Sequence, residues 1–532
     1  MSSQPKFLIL SNGLRDHVGH YFETSVSVAE AARRQGFRPI LATHVECRRE
    51  LIPAWLETHA LFHTDYWMRE PPAILDEEAG VSSRRRIVER CREVGRLCRR
   101  AMRLIERGAY FLLPPLCYDL GRLLRYCCAP RLAEPDMRTR ACAGIHRVVG
   151  RLRYGADAPT FEQAAHWPRV MRALSDTSRS ATLMTAARHL LAQGLGQELE
   201  YGLLFEQDLR RLLAAVDLGP ADHVWLGTAH ARELIGIRLA VEQFGFAQSP
   251  VFHLEFRHAP FARDPVGQEP IESPQTEMER QFLSLHTAWG ATDRIRFYTD
   301  SARLSEDYET IADAPFGVLP LPFRAELIQS APRQPGAPVT LAYLGEARDE
   351  KGFHWLPDLI DILAGDYLIK GKARILLQSN VGQPQHNPRS MAALRRLRSQ
   401  PRPGVELLPD EALTPAAYYA LASQADVVLL PYLRERYRAC TSGVLAETLA
   451  AGAAAVVPAG TWLADELPAG CGETFEDFDG FVRSVKRVLD QFASYRAAAK
   501  MNQAGWRRRH SPDALVAALV GRADKAPQAI AA

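Results

Sequence analysis

Short apolar runs alternate with helical periodicity near both ends of this chain, and a long basic stretch interrupts the first such region. Phe7 to Leu10 and Arg38 to Thr43 are strand-like, and the segment from Tyr21 to Gly36 between them carries the 3.6-residue pattern of a helix, as in a βαβ unit. From about Arg84 to Arg153 no strand signal occurs, and eighteen arginines face six acids among scattered Leu, Ile, Val and Cys. A further helical region runs to about Leu213, after a polar, proline-bearing patch near Gly155 to Pro168. The strand pattern resumes at His223 to Gly227, Pro250 to Phe256 and Arg294 to Tyr298, with a helix predicted from Arg232 to Phe244.

Ala331 to Pro338 is rich in proline and predicts a hinge. Beyond it, Val339 to Leu344, Ala373 to Gln378, Val405 to Leu408, Val427 to Leu430 and Ala454 to Pro458 read as strands separated by helices. The fold class is therefore α/β, with two doubly wound Rossmann-like domains facing a cleft. The expected division is a first domain over 1–330 carrying a basic helical insertion at about 68–214, a second over 331–508, and a crossover helix and tail over 509–532. The helix near Pro512 to Val520 is expected to pack back across the hinge.

Composition narrows the function classes. At 532 residues the chain exceeds one comfortable core, and a net charge of +3 gives no reason to expect a nucleic-acid partner. The opening residues lack a basic n-region and a long apolar h-region, and no run reaches the roughly 20 apolar residues of a membrane span. A cytoplasmic location is expected. Nine cysteines with no secretory signal read as reduced thiols, and six of them cluster between Cys91 and Cys142 without metal-ligand spacing.

The segment richest in chemistry is Thr441-Ser442-Gly443, which follows the strand ending at Pro431 and opens a helix bearing Glu447. A small-residue turn at a helix N-terminus offers backbone N–H groups to an anion, and a nearby glutamate can accept hydrogen bonds from vicinal hydroxyls. That pairing suits a nucleotide sugar. After the hinge, Tyr343 to Gly352 adds Gly345, Arg348 and Lys351 just past another predicted strand. In the first half, the loop from Asn12 to His20, including Gly19, follows a strand and opens a helix, though it is not a dinucleotide fingerprint.

These three second-half elements, in this order, resemble the retaining GT-B glycosyltransferases of the glycosyl-transferase group 1 class, which includes glycogen-synthase-like enzymes. The resemblance implies that Gly345, Arg348, Lys351, Thr441, Ser442 and Gly443 hold the donor diphosphate, that Glu447 binds ribose, and that the Gly19 loop faces donor and acceptor. It implies hexosyl transfer to a glycan or lipid-linked acceptor, with retention and without a metal, in cell-surface polysaccharide or glycoconjugate synthesis. Two positions depart from the family pattern: Glu346 stands where an arginine is usual, and Ala439 where a carboxylate is usual. His253 resembles the strand-terminal histidine that contacts the transferred sugar, with His230 as a second candidate. Glu255 and Arg257 alternate with His253 and share its strand face. The single Asp-x-Asp, Asp477 to Asp479, falls in a late loop and implies no metal.

The arginine-rich insertion is compatible with a solvated or oligomeric surface, or with peripheral contact to an anionic membrane. A nucleotide-sugar epimerase of the same shape and a catalytically silent nucleotide-sugar-binding scaffold are the competing readings of the whole.

Overall fold

The computed structural model describes residues 4–16, 20–65, 189–190, 193, 195–264, 269–288, 292–328, 333–411 and 413–521. Gly19 and nearly all of the arginine-rich stretch lie outside them. The first half is a seven-stranded sheet in the order β3-β2-β1-β4-β5-β8-β9. Its strands are β1 (Lys6–Ser11), β2 (Arg38–His44), β3 (Glu57–Phe62), β4 (His223–Leu226), β5 (Val251–Phe256), β8 (Ile295–Thr299) and β9 (Phe316–Val318), with a small hairpin of β6 (Ala262–Arg263) and β7 (Pro270–Ile271) beside it. All seven pair in parallel.

The second half is a six-stranded parallel sheet in the order β12-β11-β10-β13-β14-β15. It contains β10 (Val339–Tyr343), β11 (Ala373–Leu377), β12 (Val405–Leu407), β13 (Val427–Leu429), β14 (Ala454–Pro458) and β15 (Gly472–Phe475). In each sheet the strand order reverses beside the first strand, at β1/β4 and at β10/β13. Open parallel sheets bind ligands at the carboxyl edge of such a reversal.

The helices that matter for the site are α1 (His20–Arg34), α2 (Gly196–Ala215), α3 (Pro274–Ala288), α4 (Ala302–Glu309), α5 (Pro415–Ala422), α6 (Gly443–Ala451), α7 (Phe492–Arg509) and α8 (Pro512–Leu519). The central strands are covered on both faces, so their runs are apolar throughout. Leu8 and Leu10 join one cluster with α2, whereas Phe7 and Ile9 point to the opposite cluster with α1. Helix α2, which falls in the last part of the stretch read as an insertion, buries Leu199, Leu203, Phe205, Leu209 and Leu212 in the core of the first sheet. No helix among the described residues is long and apolar enough to cross a membrane.

Although α8 ends the described chain, it packs on α1 of the first half. Leu515, Val516 and Leu519 are wholly buried beside Phe7, Ile9 and Val28. The Arg34 guanidinium adds a bidentate contact to Asp513, at 3.1 and 2.6 Å. Burial, not the exposed ion pair, should supply the stability. Leu515→Ala is expected to cost about 2–5 kcal/mol, and Asp513→Asn less than about 1 kcal/mol, in urea unfolding monitored by circular dichroism.

Candidate functional site

The carboxyl edge of β10 runs directly into a tight corner. Gly345 has a φ of 91°, and a Cβ placed on it would lie 3.1 Å from Lys351 Nζ and 3.6 Å from Val444 Cγ2 in the first turn of α6. Missing side-chain bulk at Gly345 thus lets the Lys351 ammonium, the loop backbone and the start of α6 come together. The Gly345 N–H donates to Gln378 Oε1 at 2.6 Å, which fixes the corner from β11. Ser442 caps α6, its Oγ accepting from the Leu445 N–H, and Gly443 is exposed at the first helical position.

The two cations here differ in availability. Arg348 is held by Glu346 at 2.5 Å and by Glu350 at 3.4 Å. Lys351 makes no hydrogen bond or ion pair with the described residues; its ammonium lies 5.7 Å from the centre of the Tyr432 ring. Burial, aided by the nearby Arg348 charge, lowers its pKa to about 8. The charge expected of Arg348 is therefore already balanced by two carboxylates, and Lys351 is the cation of this corner that makes no ion pair with the described residues, although Glu346, Glu350 and Glu447 lie near enough to favour its charge.

Glu447 stands half-buried on α6, and Tyr418 of α5 donates to its Oε2 at 2.5 Å. Burial raises its pKa to about 7 against the opposing pull of Tyr418, Tyr419 and Lys351. Thr441, expected at the diphosphate, instead donates to Asp300 Oδ2 at 2.6 Å, and Ser301 Oγ donates to the Ala439 carbonyl at 2.6 Å. Asp300 and Ser301 lie between β8 and α4, so these bonds tie the turn to the first half. Ala439 is buried among residues of the first sheet's core, which explains how a small apolar side chain occupies a position where the family pattern has a carboxylate. Two of its neighbours are engaged elsewhere: Tyr437 packs on Tyr432 with ring centres 4.4 Å apart, and Arg438 pairs with Asp307 at 3.5 Å.

In the first half the expected catalytic histidine is corrected. His253 sits mid-strand with no exposed surface, between His223 Nδ1 at 3.0 Å and the Tyr298 hydroxyl at 3.2 Å. Burial holds its pKa well below the usual value. Its imidazole is enclosed within the sheet, because β5 continues three residues past it. Glu255 is corrected in the same way: wholly buried, it accepts from Trp225 Nε1 at 3.1 Å and from Arg257 Nε at 2.8 Å. Arg257 reaches the carboxyl edge instead and lines a small pocket with Ile9, Ser11, Asn12, Tyr21 and Trp225.

His230 does lie at the strand edge, but facing other protein groups. It caps the short helical turn Ala231–Glu233, and its Nδ1 is 3.4 Å from Glu279 Oε1 of α3. Burial, with help from the nearby His258, lowers its pKa to about 4, so its imidazole is neutral. His258, at the true end of β5, also meets Glu279 Oε1, at 2.9 Å. Burial works against the charge on Glu279, yet the two histidines hold its pKa well below the usual carboxylate range. The contacts of His258, Glu279 and Asp300 with these residues were not foreseen from the sequence. Asp477 of the Asp-x-Asp caps the helix Phe478–Asp490, accepting from the Gly480 N–H at 2.7 Å.

No family model matches the chain, and no curated protein matches it. Solved structures do match, over almost its full length. A sucrose-phosphate synthase from Thermosynechococcus elongatus is 12% identical, with 98% of this chain and 97% of that one covered and a TM-score of 0.52. A UDP-forming α,α-trehalose-phosphate synthase from Burkholderia vietnamiensis is 11% identical, with 97% and 99% covered and a TM-score of 0.52. This chain has the GT-B fold. The N-terminal domain of a Candida albicans trehalose-6-phosphate phosphatase is also similar, at 10% identity, 98% and 96% coverage and a TM-score of 0.53. Since proteins named for different reactions share the GT-B fold, activity has to be argued from the site.

Proposed function

We propose that the chain is a glycosyltransferase that moves a hexosyl group from a nucleoside-diphosphate sugar to a glycan or lipid-linked acceptor, with retention, in cell-surface polysaccharide or glycoconjugate synthesis. The observation that carries this reading is the unpaired Lys351 ammonium beside Gly345 and the start of α6, with Glu447 further along the same helix. A diphosphate in that corner would meet one full positive charge and the free N–H groups of a helix end, and the ribose hydroxyls would meet a carboxylate. No metal is needed on the departing diphosphate. The similar sucrose- and trehalose-phosphate synthases, named for reactions that build glycosides, support the same reading.

The protein is expected to be stabilised in thermal melts by at least one of the UDP-, GDP-, ADP- and dTDP-sugars, the shift growing with ligand as RT ln(1+[L]/Kd). Release of nucleoside diphosphate, with sugar transferred to an added acceptor, tests the chemistry itself. The silent-scaffold reading is favoured by one specific pair of observations, the buried Ala439 and the neutralised Arg348. It predicts the thermal shift without any nucleotide release.

Donor affinity is expected to follow a bell-shaped pH profile with its maximum between about 7 and 8. Below about 7, Glu447 takes up a proton and loses its capacity to accept from ribose; above about 8, Lys351 loses its charge. Glu447→Gln should flatten the acid limb and leave the basic limb in place, as read by titration calorimetry with the nucleoside diphosphate. An acid limb unchanged in that variant would remove Glu447 from the site.

A further inference from the structure

His230, His258 and Glu279 reach one point from three separate elements: the turn after β4, the end of β5 and the second turn of α3. Their ligating atoms all lie within 4.8 Å of one another, the one such group among the described residues. Both rings direct a nitrogen at the same oxygen, Glu279 Oε1, from 2.9 Å for His258 Nε2 and 3.4 Å for His230 Nδ1. The ring centres are 4.2 Å apart. A divalent ion would use the lone pairs of all three groups at once.

From these contacts we infer a transition-metal site of the zinc type, with His230, His258 and Glu279 as its three protein ligands. Ligand bonds of about 2.0–2.2 Å set tetrahedral ligand atoms roughly 3.3–3.6 Å apart, a spacing these atoms reach with small side-chain rotations. Glu279 is oriented by the Ala231 N–H, which donates to its other oxygen, Oε2, at 3.2 Å, and by Gln275 Nε2, which donates to Oε1 at 2.9 Å. The Tyr308 hydroxyl, 2.9 Å from His258 Nε2, would give up that contact to the ion. Three protein ligands leave a fourth position for water or a substrate oxygen. Ala259, next to His258, packs against the apolar clusters of both halves, which puts the site beside the cleft. All three ligands belong to the first half, and none is among the residues assigned to the diphosphate, so the inference does not depend on glycosyl transfer.

The test uses the full chain, stripped with a chelator, dialysed and titrated with cobalt(II). About one equivalent should bind per chain, with the visible absorption of a four-coordinate site, and zinc should displace it. His258→Ala and Glu279→Gln should each abolish the bands, and Gln275→Ala should weaken binding roughly tenfold by releasing the carboxylate. Circular dichroism and thermal melts establish that each variant is folded, and His230→Gln stands in for any that is not. Absence of cobalt bands in the wild-type protein, or bands that persist unchanged in the folded variants, would overturn the site.

Discussion

Lys351→Ala is expected to lower kcat/KM for nucleoside-diphosphate release by roughly 10²–10³-fold, the usual cost of removing one preorganised group that stabilises developing charge. The expectation rests on the absence of a substitute. Arg348, the other cation of the loop, is engaged by Glu346 and Glu350, so releasing it would strand two carboxylates at the same place. Lys351 itself holds nothing together: it has no ion pair with the described residues, and its partial desolvation opposes its charge. The variant should therefore melt at or slightly above the wild-type temperature while losing donor-induced stabilisation. Steady-state rates and thermal shifts with the same nucleotide sugar check both halves of this expectation. A loss of less than about threefold would mean that the diphosphate lies elsewhere.

Gly352→Ala is expected to be the most damaging small substitution in the second half. Gly352 has a φ of 68°, and a Cβ there would sit 1.8 Å from the Pro431 carbonyl oxygen and 2.8 Å from its carbonyl carbon. Those atoms are backbone, and the adjoining segment is tied to the same loop by the Leu433 N–H, which donates to the Glu350 carbonyl at 2.9 Å. Neither side can yield without moving the other. A left-handed conformation costs alanine about 1–2 kcal/mol and a forced backbone shift another 1–3 kcal/mol, so the variant should lose roughly 2–5 kcal/mol in urea unfolding. Gly443→Ala provides the contrast, since a Cβ there meets nothing within 4 Å and the residue is helical. It should be neutral or stabilising by up to about 1 kcal/mol. Equal losses in the two variants would show that the close approach at Pro431 is not what demands glycine.

The central strands were legible because both of their faces are covered. Phe7 to Leu10 and Ala454 to Val457 are continuous apolar runs, and each appears as an inner strand of its sheet. Of the four edge strands only β12 was legible, and β3, β9 and β15 were not: Glu57 to Phe62 mixes polar and apolar residues because much of it is only half-buried. At the site, a lysine followed by glycine after a strand and a glutamate on an apolar helix were readable as a local pattern. The neutralisation of Arg348 was not, because it needs Glu346 and Glu350 folded back around it. The histidines turned on where β5 ends. Val251 to Phe256 is followed without a break by Arg257 and His258, so the run alone did not tell a mid-strand histidine from a terminal one. Glu279 was invisible for a related reason: which side of α3 faces inward is decided by what packs against it.

The chain passes between the two halves twice, once after β9 and once between α7 and α8. The two passages touch: the Leu321 N–H donates to His510 Nδ1 at 3.1 Å, in a buried contact. Burial lowers the His510 pKa to about 3, so the acceptor nitrogen survives across the whole physiological pH range. Two covalent crossings pinned side by side act as a pivot. Rotation about that spot displaces nearby residues little and the far ends of the halves most. Any such rotation would also have to break the contacts of Thr441 with Asp300, of Ser301 with Ala439 and of Arg303 with Asp465, which join the two halves.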